Sequence, residues 1–363
     1  MKLLFRHTIL FCLLSAATAF RSSGQVIKDL NDGPYIFSIE DKLVARWVED
    51  GFSHRKVITK KNFNDFRDKF GLKCSIRDLY VPYSRKSSFK QVYKGVDSIC
   101  AISDIHGEYK KYLELLKTQN IIDYNLNWKF GTGHLVVLGD YFDRGEHVTE
   151  LLWHLFGLEK QAEKAGGKVH VMIGNHEMMM FSKDDRYMND KYRKVEQVLE
   201  MHYVDLFSGG SVLGEWLRSK PVIVQINDNL FVHGGISSEL VQRQMKPEQI
   251  NKLFYQLTTG QNLASDEELK DILFLSDDKG PLWYRGFLTE PEFSEEMTDE
   301  ILRFYGRSHI IVGHTTDNDV KALFHNKIIC IDAGLGNDLP GAVLICKGNV
   351  FYKGTVDGKR TKL

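Results

Sequence analysis

The chain carries no excess of either charge. Lysine plus arginine number 48, and aspartate plus glutamate also number 48. That balance removes the electrostatic case for a nucleic-acid or anionic-membrane partner, and no nucleic acid is expected. Proline is scarce, at 7 in 363 residues, and no Pro-rich hinge, low-complexity tract or internal repeat divides the chain. Cysteine is scarce too, at 5, and no Cys-x-x-Cys pair suggests a zinc ribbon or a redox motif. One short apolar run stands at the start and no second long one follows, so no membrane span is expected in the mature chain. What is left is the 43% hydrophobic content of a globular protein, long enough for one large domain or two modest ones.

Residues 1–19 are expected to be a secretory signal. Lys2 and Arg6 make a basic start, Leu10, Phe11, Leu13 and Leu14 an apolar run, and Ala17-Thr18-Ala19 a site for signal peptidase. A short anchor or a buried helix is the weaker alternative, because the run falls short of the ~20 residues a span needs. The mature protein is then expected to be exported, to the periplasm or outside the cell. Export puts Cys74, Cys100, Cys330 and Cys346 in oxidising surroundings. The last three sit in strand-like runs, so buried free thiols are expected. A disulfide is the alternative, and its pairing does not follow from sequence.

An N-terminal extension is expected over 20–94. Tyr35, Phe37 and Ile39 alternate with polar neighbours, Glu40-Asp41 marks a turn, and Leu43, Ala45 and Trp47 alternate again, which predicts a hairpin. Asn62 to Phe70 reads as a helix stopped by Gly71. Basic residues gather at Arg55, Lys56, Lys60 and Lys61, and again at Arg85, Lys86, Lys90 and Lys94. A solvated surface is the plain reading, and attraction of phosphorylated substrates the sharper one. A catalytic domain is expected over 95–363. Strand, helix, strand, helix and strand follow one another from Val96 to Ile173, which implies parallel pairing with helices on the faces. Further strands are predicted at Val222 to Ile226, Leu230 to Val232, Ile310 to Val312, Ile328 to Ile331, Val343 to Cys346 and Val350 to Tyr352. A second, mixed sheet follows, and the predicted fold is a four-layer α/β/β/α sandwich.

Five segments in that domain hold metal-ligand or phosphate-handling residues. They are Asp104-Ile-His106, Gly139-Asp-Tyr-Phe-Asp-Arg-Gly145, Gly174-Asn-His-Glu177, Val232-His-Gly-Gly235 and Gly313-His-Thr315. Each alone is weak or moderate evidence, and a lone histidine is more often packed than ligating. In this order, each after a predicted strand, they are specific. Ligands bind beyond the carboxyl ends of strands in open α/β sheets. Strand alternation is expected to send Asp104 and His106 to one face, where both grip one ion. Carboxylate, imidazole and amide oxygen suit manganese, iron or zinc. Asp140 is the candidate to bridge two ions through its two oxygens.

Those segments resemble the calcineurin-like metallophosphoesterase superfamily, and within it the PPP phosphatase family. Trp216-Leu-Arg-Ser-Lys220, His233-Gly-Gly-Ile-Ser-Ser-Glu239, Gly280-Pro-Leu-Trp-Tyr-Arg-Gly286 and Leu323-Phe-His-Asn-Lys-Ile328 resemble its Shewanella-like branch. The resemblance implies a first divalent or trivalent metal on Asp104, His106 and Asp140, and a second on Asp140, Asn175, His233 and His314. It implies a hydroxide between them as nucleophile, His176 as proton donor oriented by Asp143, and Arg144 on the phosphate. Arg285 is the candidate second arginine, with core packing of Trp283-Tyr284 as the plain alternative. Many superfamily members place a second histidine where this chain has Thr316, and its absence favours monoesters over diesters. The expected substrate is a phosphorylated protein or small phosphomonoester, with phosphotyrosine accepted. Met178-Met-Met-Phe181 reads first as helix packing. An apolar wall for a substrate's ring is the alternative. A phosphodiesterase or nucleotidase of the same superfamily is the rival function.

Overall fold

A computed structural model describes residues 28–80, 89–260 and 265–363. The expected signal and the basic residues Arg85 and Lys86 lie outside the described residues. Among those described, no helix is long and apolar enough to cross a membrane.

Strands β1 (Asp32–Ile39), β2 (Lys42–Glu49) and β3 (Phe52–Ile58) form an antiparallel sheet. The hairpin is as the alternation predicts. The third strand was not foreseen, and the reason is visible: only Ile58 of its seven residues is buried, so no apolar period marks it. The helix Phe63–Phe70 follows and ends at Gly71, whose φ of 63° suits glycine. This sheet is joined to the rest by packing and hydrogen bonds. The Trp153 indole N–H donates to Pro34 O at 2.8 Å, and Arg46 Nη2 donates to Leu199 O at 2.5 Å.

The remaining strands are β4 (Val92–Tyr93), β5 (Ser98–Ile102), β6 (His134–Val137), β7 (Lys168–Val171), β8 (Ile223–Ile226), β9 (Asn229–Val232), β10 (His309–Val312), β11 (Lys321–Leu323), β12 (Ile328–Cys330), β13 (Val343–Lys347), β14 (Val350–Gly354) and β15 (Arg360–Lys362). They make two mixed six-stranded sheets, ordered β15-β14-β13-β5-β6-β7 and β11-β12-β10-β9-β8-β4. β5, β6 and β7 run parallel, and β13 pairs with β5 antiparallel.

Strand alternation sorts the apolar side chains into three cores. Ile99, Ala101, Val136, Val224, Phe231, Ile311, Ile329 and Leu344 meet between the sheets. Cys100, Ile102, Leu135, Val137, Val169 and Ile345 point outward to the helix Val148–Lys164 and the N-terminal sheet. Ile223, Leu230, Val232, Ile310 and Ile328 point to the opposite outside, where the helices Pro247–Thr259 and Glu295–Tyr305 cover them. Three cores between four layers are the predicted α/β/β/α sandwich. Cys74, Cys100, Cys330 and Cys346 are free and buried, and burial pushes the Cys330 thiol up to about 12.

Candidate metal centre

The turns after β5, β6, β7, β9 and β10 meet at one edge of the sandwich. They carry Asp104 and His106, then Asp140 and Asp143, then Asn175 and His176, then His233, then His314. All eight are buried, none more than 6% exposed.

Strand alternation is not what aims Asp104 and His106. β5 ends at Ile102, and both residues lie beyond it in left-handed backbone, with φ of 52° and 46°. Asp140, Asp143, Arg144 and His314 also have positive φ, at 57°, 71°, 62° and 66°. Non-glycine residues adopt this conformation at a cost of ~1–3 kcal/mol each, and such strain gathers at functional sites. Hydrogen bonds hold the turns in place. His106 N–H donates to Asp140 O at 2.8 Å, and Gly145 N–H to His106 O at 2.8 Å. The fully buried Glu177 carboxylate accepts from the N–H groups of Asp140, Tyr141 and Gly174, each at 2.8 Å. Burial, then the charge of Asp140, pushes its carboxyl up to about 7.

The donors form two groups. His106, Asp140 and His176 make one, and Asp140, His233 and His314 the other, with the donor atoms of each group within 4.8 Å of one another. Asp140 belongs to both, one oxygen to each. Its Oδ2 lies 3.5 Å from His106 Nε2 and 3.9 Å from His176 Nε2, while its Oδ1 lies 3.4 Å from His233 Nε2. Asn175 Oδ1 is 2.8 Å from His233 Nε2, so the amide is aimed at the second group. Asp104 stands outside both groups. Its Oδ2 accepts from the Ser103 hydroxyl and from His314 N–H (2.9 Å), which leaves Oδ1 for a cation. Its neighbours Asp332 and Asp140 crowd it electrostatically.

The residues fit metal ions. His106 Nδ1–H donates to Phe142 O at 2.7 Å, His233 Nδ1–H to Leu138 O at 2.8 Å, and His314 Nε2–H to Trp283 O at 3.2 Å. Each bond fixes a ring and turns its other nitrogen to the donor groups, the usual support of a ligating histidine. Burial pushes His106 down to about 3, and burial with the charges of His233 and Arg285 lowers His314 too, so both are neutral donors. For His233 burial opposes protonation, but the Asp140 carboxylate outweighs it and lifts the ring to about 9. Burial, then the charge of Asp332, raises the Asp104 carboxyl well above its usual range. Confined carboxylates of this kind are relieved by cations.

His176 is engaged otherwise. Its Nδ1 is 2.5 Å from Asp143 Oδ2. Burial would lower its pKa, but the Asp140 charge and the Asp143 bond raise it. Two exposed arginines stand on the rim. Arg144 Nη1 donates to Asn337 Oδ1 at 2.6 Å, and Arg285 Nη1 to His314 O at 2.7 Å. Tyr284 beside Arg285 is buried, so core packing and an outward guanidinium coexist there. Met179 and Met180 are buried, and Met178 and Phe181 pack against the core. The methionine run therefore packs against the core, as its plain reading expects. Sequence reasoning gave Ser103, Glu177, Trp283, Tyr187 and Asn337 no part in the centre. Glu177 was within reach, as a carboxylate inside a ligand-bearing turn. Trp283 acts through its carbonyl, and Asn337 and Tyr187 carry no local signal.

Two donor groups sharing one aspartate, with a histidine–carboxylate pair and two arginines beside them, define a metal-dependent phosphoesterase. The calcineurin-like phosphoesterase profile matches residues 98–317, more than half of the chain, and the chain belongs to that family. It is similar to the cold-active protein-tyrosine phosphatase of a psychrophilic Shewanella species, 37% identical, with a TM-score of 0.78 over 92% of this chain and 99% of that one. It is 24% identical to Shewanella-like protein phosphatase 2 of Arabidopsis thaliana, over 76% of this chain and 81% of the relative. Shewanella-like protein phosphatase 1 of Plasmodium berghei is 28% identical, over 69% and 71%.

Proposed function

We propose that the chain is a dinuclear-metal phosphomonoesterase acting on phosphoproteins and accepting phosphotyrosine. The observation that carries this reading is the Asp140 carboxylate, with its two oxygens turned to two donor groups. The names of the relatives, protein phosphatases and a protein-tyrosine phosphatase, support the choice of substrate.

Asp104, His106 and Asp140 would hold one ion, and Asp140, Asn175, His233 and His314 the other, as manganese, iron or zinc. Bound there, the pair would acidify a water and offset the phosphate's negative charge. The chain's own groups do the rest. His176 gives its Nε2 proton to the departing oxygen, while Asp143 holds Nδ1 and keeps the ring turned. Arg144 and Arg285 bind phosphate oxygens, which guanidinium groups fit in pairs. Asn337 and the His314 carbonyl hold those two arginines at the rim. Thr316 is tied to Asp332 by a 2.7 Å hydrogen bond, where a histidine would instead offer a further donor. That supports monoester over diester chemistry.

The test uses the purified chain from Phe20 with its metal content measured. Phosphotyrosine and phosphoserine peptides, p-nitrophenyl phosphate and its bis ester are assayed on one sample. Preference for the bis ester would reject the phosphomonoesterase reading. Asp104→Asn should lower metal content, and an unchanged content would remove Asp104 from the ligand set. Residues 1–19 support export, and mature protein from the native host that does not begin at Phe20 would count against it.

A further inference from the structure

Tyr187 is a large aromatic held out to solvent at the mouth of the centre. It lies in the stretch between the helices Asn175–Phe181 and Asp190–Leu199. The residue is 53% exposed, yet its ring centroid is 5.6 Å from that of His176, tilted by 48°. The stretch is tied down on both sides. Asp184 and Arg186 pair at 2.6 Å before it, and Met188 is buried after it. The Tyr187 carbonyl accepts from Arg144 N–H at 3.1 Å, and Asn189 Nδ2 donates to Arg144 O at 2.6 Å.

Exposed tyrosines are common and most need no explanation. Two facts set this one apart. Its ring neighbours the proton donor, and its backbone is bonded to the residue that would bind phosphate. His176 Nδ1 is occupied by Asp143, so a proton leaves from Nε2. The departing oxygen, and whatever group it carries, must then sit beside the imidazole. An aromatic ring there flanks the leaving group, not the phosphate. A phenyl leaving group can lie against it in an offset or edge-on pair, whereas the single methylene of serine is too short to cover it.

We infer that Tyr187 is a specificity-determining residue that favours aryl over alkyl phosphomonoesters by packing against the leaving group. The inference rests on the phosphomonoesterase reading above and adds the residue that sets its preference.

The experiment measures kcat/KM on matched phosphotyrosine and phosphoserine peptides for the metal-loaded full chain and for Tyr187→Ala, Tyr187→Leu and Tyr187→Phe. The wild type should prefer phosphotyrosine. The preference ratio should fall about tenfold in Tyr187→Ala and Tyr187→Leu, which is ~1.4 kcal/mol. Tyr187→Phe keeps both ring and backbone tie and should keep the ratio. An unchanged ratio in Tyr187→Ala, or an equal loss in Tyr187→Phe, overturns the inference. Hydrolysis of p-nitrophenyl phosphate by the wild type with an unchanged ratio sinks the role of Tyr187 alone. No hydrolysis of any monoester sinks the phosphomonoesterase reading, and this inference with it.

Discussion

His176→Asn should cost activity according to how badly the leaving group needs a proton. In the structure His176 Nδ1 is bonded to Asp143 Oδ2 at 2.5 Å, and Nε2 points to the centre, 3.9 Å from Asp140 Oδ2. An asparagine can still meet Asp143 through its amide but has no group where Nε2 stood. What is lost is proton donation to the departing oxygen, typically worth 10²–10⁴ in rate, or ~2.7–5.5 kcal/mol of barrier. That sum is due only where the oxygen leaves as a poor base. A phosphoserine alkoxide needs the whole of it, a tyrosine phenolate less, and p-nitrophenolate little. The loss in kcat should therefore fall steeply along that series. The assay is steady-state kinetics on the three substrates, with metal content measured on each preparation because His176 also borders the first donor group. A uniform loss across the series, with metals retained, would refute the proton-donor role. A uniform loss with metals absent would make His176 a ligand instead.

Three further outcomes follow from particular contacts. Gly139→Ala should lower stability by about 2–6 kcal/mol, combining backbone strain with overpacking. Gly139 has a φ of 100°, and a Cβ there would run into the Gly174 backbone. A thermal midpoint equal to the wild type's would show that the turn relaxes freely. Asn337→Ala releases Arg144 Nη1 and should raise KM about twofold to tenfold, the cost of ordering one long side chain. An unchanged KM would mean that Arg144 needs no such support. Burial lowers His154 from 6.5 to about 4, and the ring sits between the Tyr112 hydroxyl and the Leu126 carbonyl. The unfolded chain takes up that proton near pH 6.5 and the folded chain near 4. Its contribution is thus whole above pH 6.5 and is lost as the pH falls towards 4, by ~2 kcal/mol between pH 7 and 5. Urea unfolding at the two pH values should show a smaller drop for His154→Phe, and an equal drop would clear His154 of the effect.

Much of the fold was legible because its strands alternate or are wholly apolar. The strands predicted around Cys100, Val136, Val169, Val224, Ile311 and Leu344 all stand in the two sheets. β3 was missed because its exposed residues, Phe52 among them, leave no period to read. The donors were legible because imidazole and carboxylate after a strand have few other uses. Their aim was not. Asp104 and His106 are oriented by positive-φ turns, which non-glycine residues do not announce.

The residue types, their order and their place at strand ends are local properties, and the amino-acid sequence determined those unaided. Which oxygen of Asp140 faces which histidine, which nitrogen of each ring faces the centre, and that Asn337 and Tyr187 reach the rim were decided only by tertiary structure. Segments such as those of Asp104 and His314 lie far apart in the chain. Their approach is set by packing two sheets over a shared apolar core, a distance that no local pattern encodes.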